Sequence, residues 1–201
     1  MSTNRLETFA DGVFAIAATL LILNVDTQLA SDAAIGTRLL HIWPSYAGYV
    51  VSFLTIGIIW ANHHTVMNQI ARVDRTFLML SVLFLMSVAF IPFPTRLVAE
   101  HIRDDGARAA TITYGITLTL VASGFNAIWF YAATGRRLLR EDADEPTVRG
   151  ISRTYRFGPV LYLAITLVAA ASPPTGAVLF GAFALFWLFE SSLFGRDRTR
   201  A

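Results

Sequence analysis

The sequence predicts an all-α fold, a polytopic membrane protein with six transmembrane helices in a single domain over residues 1–201. Two observations carry that expectation. Hydrophobic residues make up 55% of the chain and charged residues only 15%, with a mean hydropathy of +0.54. A soluble domain sits at about 45–50% apolar and about 25% charged. The apolar residues also gather into six stretches, and a helical span needs about 20 of them. With no water to serve backbone groups in lipid, those stretches read as helices.

The first stretch runs from about Leu6 to Val25, the second from Trp43 to Ala61, the third from Phe77 to Ala99. The fourth runs from Ala109 to Ala133, the fifth from Phe157 to Ser172, the sixth from Gly176 to Phe194. The breaks are legible. Asp26 to Thr37 is polar and small, Arg72-Val73-Asp74-Arg75 is charged, and Glu100 to Gly106 is charged and ends in glycine. Arg136 to Arg156 is the longest charged stretch. Ser172-Pro173-Pro174-Thr175-Gly176 is a tight turn with proline just ahead of the last helix.

Composition excludes several function classes. The low charge argues against a soluble enzyme, a nucleic-acid binder and a disordered chain. Cysteine is absent, which removes disulfides, thiolate metal sites and cysteine nucleophiles. All 16 basic residues are arginine, so lysine chemistry is absent too. No span carries a periodic arginine run of the voltage-sensing kind.

Arginine placement sets the orientation. With the N-terminus cytoplasmic, the inner segments hold twelve: Arg5, Arg72, Arg75, Arg136, Arg137, Arg140, Arg149, Arg153, Arg156, Arg196, Arg198 and Arg200. The outer segments hold four: Arg38, Arg96, Arg103 and Arg108. Both termini are therefore expected inside. The first stretch is not read as a cleaved leader, because Glu7 and Asp11 open its apolar run, where leaders avoid acids.

The first span carries the most informative residues. Arg5, Glu7 and Asp11 lie within seven positions at its edge. Charges there are costly unless paired or wet. Arg5 and Asp11 are six apart, too far for a direct helical pair, so each is expected to reach another helix or subunit. An interfacial anchoring role would account for them equally. Further along, Gly12, Ile16, Thr19 and Leu23 are spaced by four, three and four, which puts them on one helix face with Leu20 at its border. Small and hydroxyl residues on such a face serve helix packing as well as a polar path. The residues alone leave both readings open.

The run Arg5-xxx-Phe9-Ala10-Asp11 followed by Gly12-Val13-Phe14-Ala15-Ile16-Ala17-Ala18-Thr19-Leu20 resembles the opening of the transmembrane protein 175 family. That family comprises potassium channels of endolysosomes and bacteria, with the signature Arg-xxx-Phe-Ser-Asp. Ala10 stands here in place of the serine, removing one hydroxyl from the local network. The resemblance implies a tetramer of six-helix subunits whose first helices line a central pore. It implies that Ile16 forms a hydrophobic constriction, with Leu23 and the bordering Leu20 narrowing the path further. It implies that Thr19 supplies a hydroxyl ring linked to potassium preference, with potassium near it hydrated or weakly coordinated. Arg5, Phe9 and Asp11 then form a signature network with Trp60 and either His63 or His64 at the end of the second span.

Those two histidines are adjacent and point about 100° apart on a helix, so at most one faces the core well. A zinc pair prefers i,i+4 spacing, so no metal site is expected of them. In the third span, Pro92 and Pro94 are expected to kink or end the helix. The functional expectation is a leak-type potassium channel of the plasma membrane, with potassium, lipid and its own copies as partners and no cofactor. The alternatives are a secondary transporter or a proton-permeable channel. A coupled transporter wants buried carboxylates and broken helices at mid-membrane, and the mid-span stretches hold no acid or base. An intramembrane hydrolase built on Ser52 with His63 or His64 has no supporting motif.

Overall fold

A computed structural model describes residues 3–25 and 40–194, with side chains through Leu188. Arg38, Arg196, Arg198 and Arg200, used in the charge count above, lie outside the described residues. Every extended element among those residues is helical, and the one β-bridge joins Ile70 to Leu139. The helices are α1 (Thr3–Leu20), α2 (Trp43–Met67), α3 (Arg75–Phe90), α4 (Pro92–His101) and α5 (Ala107–Ala133). They continue with α6 (Glu145–Tyr155), α7 (Gly158–Ala171) and α8 (Pro173–Phe194). A 3-10 turn, Leu21–Asn24, extends α1.

The six expected spans are present. Five helical segments among the described residues are long and apolar enough to cross a membrane, and a sixth apolar helix begins at Pro173. The third span is α3 and α4 together, interrupted at Ile91. Pro92 and Pro94 have no N–H to donate, so the ladder fails there and restarts with Pro92 in the first turn of α4. The Asn24 side-chain amide donates to the Pro92 carbonyl at 2.8 Å, which ties the 3-10 turn after α1 to the break. The proline pair thus marks a break inside the span.

Helix α5 is the centre of the bundle, packing against α3, α4, α6, α7 and α8. Its tightest approach is set by small residues. A methyl placed on Gly115 would fall 2.2 Å from the Thr166 hydroxyl and 2.8 Å from the Phe180 ring. Between α7 and α8, one on Gly176 would overlap Ala169. Lipid tails are as apolar as leucine, so close van der Waals packing of this kind drives helix association in the membrane.

Helix α1 is peripheral. Its neighbours are α2 and α3, with a lighter contact to α4. It buries Leu6, Ala10, Phe14, Ala17 and Leu21, spaced by four, four, three and four, and leaves the opposite face open. That division into one packed and one free face is the feature that positions the site.

At the end of the bundle where α2 and α5 finish, the loops are knitted together. The Ala71 amide donates to Leu138 and the Arg140 amide to Gln69, both at 2.9 Å. Asp74 caps α3 by accepting the Phe77 amide at 2.8 Å, and it accepts the Tyr131 hydroxyl at 2.7 Å. These bonds satisfy donors that the start of a helix would otherwise leave orphaned.

The stretch Arg136 to Arg156, expected only as charged loop, contains the amphipathic helix α6. Asp144 caps it by accepting the Thr147 amide at 3.0 Å, and Pro146 sits in its first turn. Those two residues were the available signal. Trp129 on α5 donates to Ser152 at 2.9 Å, and Tyr155 donates to Asn62 on α2 at 2.9 Å, which fasten α6 to the bundle. Helix α7 alone has 14 residues, about 21 Å of rise. That is short of the roughly 30 Å of a hydrocarbon core, and a turn at Arg156-Phe157 joins it to the charged helix α6.

Candidate functional site

The free face of α1 carries the residues singled out by spacing. Ile16 is 60% exposed, Leu20 42% and Leu23 71%. Phe9, Gly12 and Thr19 are exposed beside them. A methyl on Gly12 would meet nothing within 4 Å, so nothing inside the subunit requires a glycine there. The stripe is thus uncovered within one chain, as a surface shared between subunits or facing a pore would be.

Thr19 has a specific polarity. Its hydroxyl lies 3.0 Å from the carbonyls of both Ala15 and Ile16 and donates its proton to that pair. This is the back-bonding habit of threonine within a helix. With its single proton committed inward, the oxygen presents only lone pairs outward. Toward the open face it is an acceptor, a polarity suited to a cation or to the hydrogens of its hydration water.

The signature residues are brought together in part. Asp11 accepts the indole N–H of Trp60 at 2.8 Å, joining α1 to α2. His64 stacks on the Trp60 ring at 6.3 Å between centroids. His63, about 100° further round the helix, turns inward. It is 2% exposed and sits between Phe14 of α1 at 5.6 Å and Phe84 of α3 at 5.7 Å, nearly parallel to the latter. Its Nε2 is buried without a hydrogen-bond partner. Neither histidine is hydrogen-bonded to Asp11. His63 braces α1 by ring packing, and His64 does so through Trp60.

Arg5 is exposed and forms no hydrogen bond or ion pair with any described residue. Within the chain it is not part of the Asp11–Trp60 contact. Phe9 is 55% exposed on the same open side as Ile16. No group of three or more metal-ligating side chains occurs among the described residues.

Ser52 is bound up in a hydroxyl chain that spacing did not reveal. It lies 2.8 Å from the Thr95 hydroxyl and 3.1 Å from that of Tyr114, three different helices meeting at one point. Eleven positions along α2 separate it from His63, about 16 Å of helix, so no nucleophile–base pair exists there. The signal for the chain was three scattered hydroxyl residues in oily spans, which only the packing unites.

Several known proteins resemble this chain. Residues 5–92 match the family described as endosomal/lysosomal potassium channel TMEM175. A potassium channel of Chamaesiphon minutus is 43% identical over 164 residues, covering 80% of this chain and 81% of its own length. A potassium channel of Streptomyces collinus is 39% identical over 194 residues, covering 94% and 92%. An endosomal/lysosomal proton channel of Gallus gallus is 31% identical, and this chain spans 29% of its length. Among solved structures, a lysosomal potassium-selective TMEM175 homologue from Chamaesiphon minutus superposes with a TM-score of 0.85 at 36% identity, covering 94% of this chain and 97% of that one.

Proposed function

The chain belongs to the TMEM175 family of ion channels, and from that premise we propose that it passes potassium down its gradient through a pore lined by α1. The carrying observation is the uncovered stripe Gly12, Ile16, Thr19 and Leu23 on a helix whose other face is packed. Its bacterial relatives at 39–43% identity are potassium channels. One such helix per chain cannot enclose a pore, so the active unit is an oligomer, and a tetramer fits the expectation from the family. It resides in the plasma membrane with both termini cytoplasmic, as the arginine bias favours.

The chemistry follows from the stripe. Helical carbonyls are already bonded and cannot replace an ion's hydration shell. Thr19 can, because its free lone pairs point outward while its proton is held by the backbone. A ring of such oxygens is a weak neutral site that a cation enters and leaves easily. Ile16, the most exposed large residue ahead of Thr19 on that face, closes the path by dewetting when the ring is narrow. Asp11–Trp60 and His63 hold the helix at a set height and rotation.

Transport without a coupling ion fits the absence of any titratable side chain from Gly12 to Leu23. The proton-permeable alternative draws on the animal relatives, which are proton channels. A flux assay on the purified protein in liposomes separates the two. Potassium uptake down a gradient at neutral pH, exceeding that of sodium, is the expected result. Flux that requires a proton gradient, or that carries protons alone, overturns the reading.

A further inference from the structure

A cavity of about 340 Å³ lies at the end of the bundle where α2, α5 and α8 begin and α4 finishes. Helices α2, α4, α5 and α8 wall it, through residues such as Trp43, Val51, Val98, Ala177 and Phe180. It is more than twice the roughly 150 Å³ of an apolar cavity that stays dry and takes up benzene. Leaving so large an apolar space empty forfeits packing on every wall.

Its few polar atoms have their protons committed. Thr95 donates its hydroxyl proton to the Ile91 carbonyl at 2.9 Å, so it accepts from Ser52. Ser52, having donated to Thr95, accepts from Tyr114. Thr111 donates to the Ala107 carbonyl at 2.8 Å. Each hydroxyl has one proton, and each is spent on a neighbour. A bound water would find only lone pairs on these hydroxyls, and the rest of the lining is apolar. An alkyl chain suits such walls.

The rim says which apolar molecule. Arg103, just beyond α4, lies over the ring of Trp43 at 5.5 Å and donates to the His41 carbonyl at 3.2 Å. No carboxylate lies within ion-pair distance of it among the described residues. Of the acids next to it in the loop, Asp104 is held by His101 at 2.9 Å and by the Gly106 amide at 2.7 Å, and Asp105 is exposed and makes no ion pair. The guanidinium therefore keeps N–H donors and its charge at the mouth of an oily cavity. An aromatic ring and an arginine at this height suit the headgroup layer.

We propose that this cavity is a lipid site, holding one acyl chain of an anionic phospholipid from the adjoining leaflet with the lipid phosphate on Arg103. Charge complementarity selects the headgroup, and the apolar walls select the chain. The site rests on the membrane-spanning fold and is independent of which ion the protein conducts.

Native mass spectrometry of the full-length protein tests it, with phosphatidylglycerol and phosphatidylcholine of identical chains as probes. The expected result is one phosphatidylglycerol held per chain, at about a tenfold lower concentration than phosphatidylcholine. Arg103→Gln, on an exposed side chain, removes that preference and keeps binding of the chain. Ala177→Trp fills the cavity and removes both. A phosphatidylglycerol with a photoreactive group on its chain should label the peptide holding Val51 or that holding Ala177, which covers the case of a misfolded Ala177→Trp protein. Labelling confined to other helices, or an undiminished preference in Arg103→Gln, overturns the proposal.

Discussion

The indole N–H of Trp60 donates to the carboxylate of Asp11 at 2.8 Å, and this bond is the polar link between α1 and α2. It lies at the edge of the free face of α1, one residue before Gly12. Beneath it, Phe14 packs on His63. One helix edge is thus fixed by a charged hydrogen bond and by ring contacts, while the stripe beside it stays uncovered. Removing the donor tests the link. Trp60→Phe keeps most of the ring and should lower the melting temperature in detergent by about 2–4 °C. An unchanged melting temperature together with an unchanged oligomer on gel filtration would reduce the bond to a surface contact.

Ile16 is the large apolar residue that the stripe presents just before Thr19. Replacing it with asparagine puts a water-binding amide at the proposed constriction. Ile16→Asn should raise potassium leak in liposomes about tenfold, a change of about 1.4 kcal/mol in the barrier. Flux equal to the parent would take Ile16 off the ion path.

The acceptor polarity of Thr19 makes a two-sided prediction. Thr19→Val keeps the shape and loses the oxygen, so discrimination of potassium over sodium should fall. Thr19→Ser keeps the oxygen and the same backbone carbonyls as proton acceptors, so discrimination should largely survive. Reversal potentials in mixed potassium and sodium solutions read both. Equal behaviour of the two variants would sink the hydroxyl role.

Asp74 makes the loop end of the bundle sensitive to acid. The Phe77 amide, then the Tyr131 hydroxyl, then nearby Arg137 hold its carboxyl below the ordinary carboxylate range. A lowered folded value means the stabilisation is complete above the unfolded value of about 4 and is lost as pH falls through the folded one. Asp104 and Asp142 are lowered as well, by His101 and by Arg140. The comparison with Asp74→Asn isolates one of the three. The variant should melt earlier at pH 7, and the gap should shrink below about pH 4. A gap that persists unchanged at pH 3 would show that charge at Asp74 is irrelevant.

Gly115 lets α5 and α7 meet. Gly115→Leu would drive a side chain into Thr166 and Phe180, and should abolish a monodisperse peak on size exclusion. Gly12→Ala, with open space around it in the subunit, should fold normally. Any loss of flux in that second variant would then come from the pore or from a neighbouring subunit.

Much of this protein is legible in its sequence, and the reasons are physical. Lipid offers the backbone no partner, so length and hydropathy dictate helices, and six spans followed directly. The spacing of Gly12, Ile16, Thr19 and Leu23 is a property of the helix itself, so their common face followed too. Trp60 and Asp11 could be named as partners only through a family resemblance, since their meeting depends on how α2 crosses α1. Which histidine turns inward was open in the sequence. Tertiary packing decided it, because one direction from α2 met the rings of Phe14 and Phe84 and the other met Trp60. The hydroxyl chain of Tyr114, Ser52 and Thr95, and the apolar cavity above it, have no periodicity to announce them. They exist because residues from three helices, far apart in the chain, come within hydrogen-bond reach, and distance in space is a quantity that sequence order does not carry.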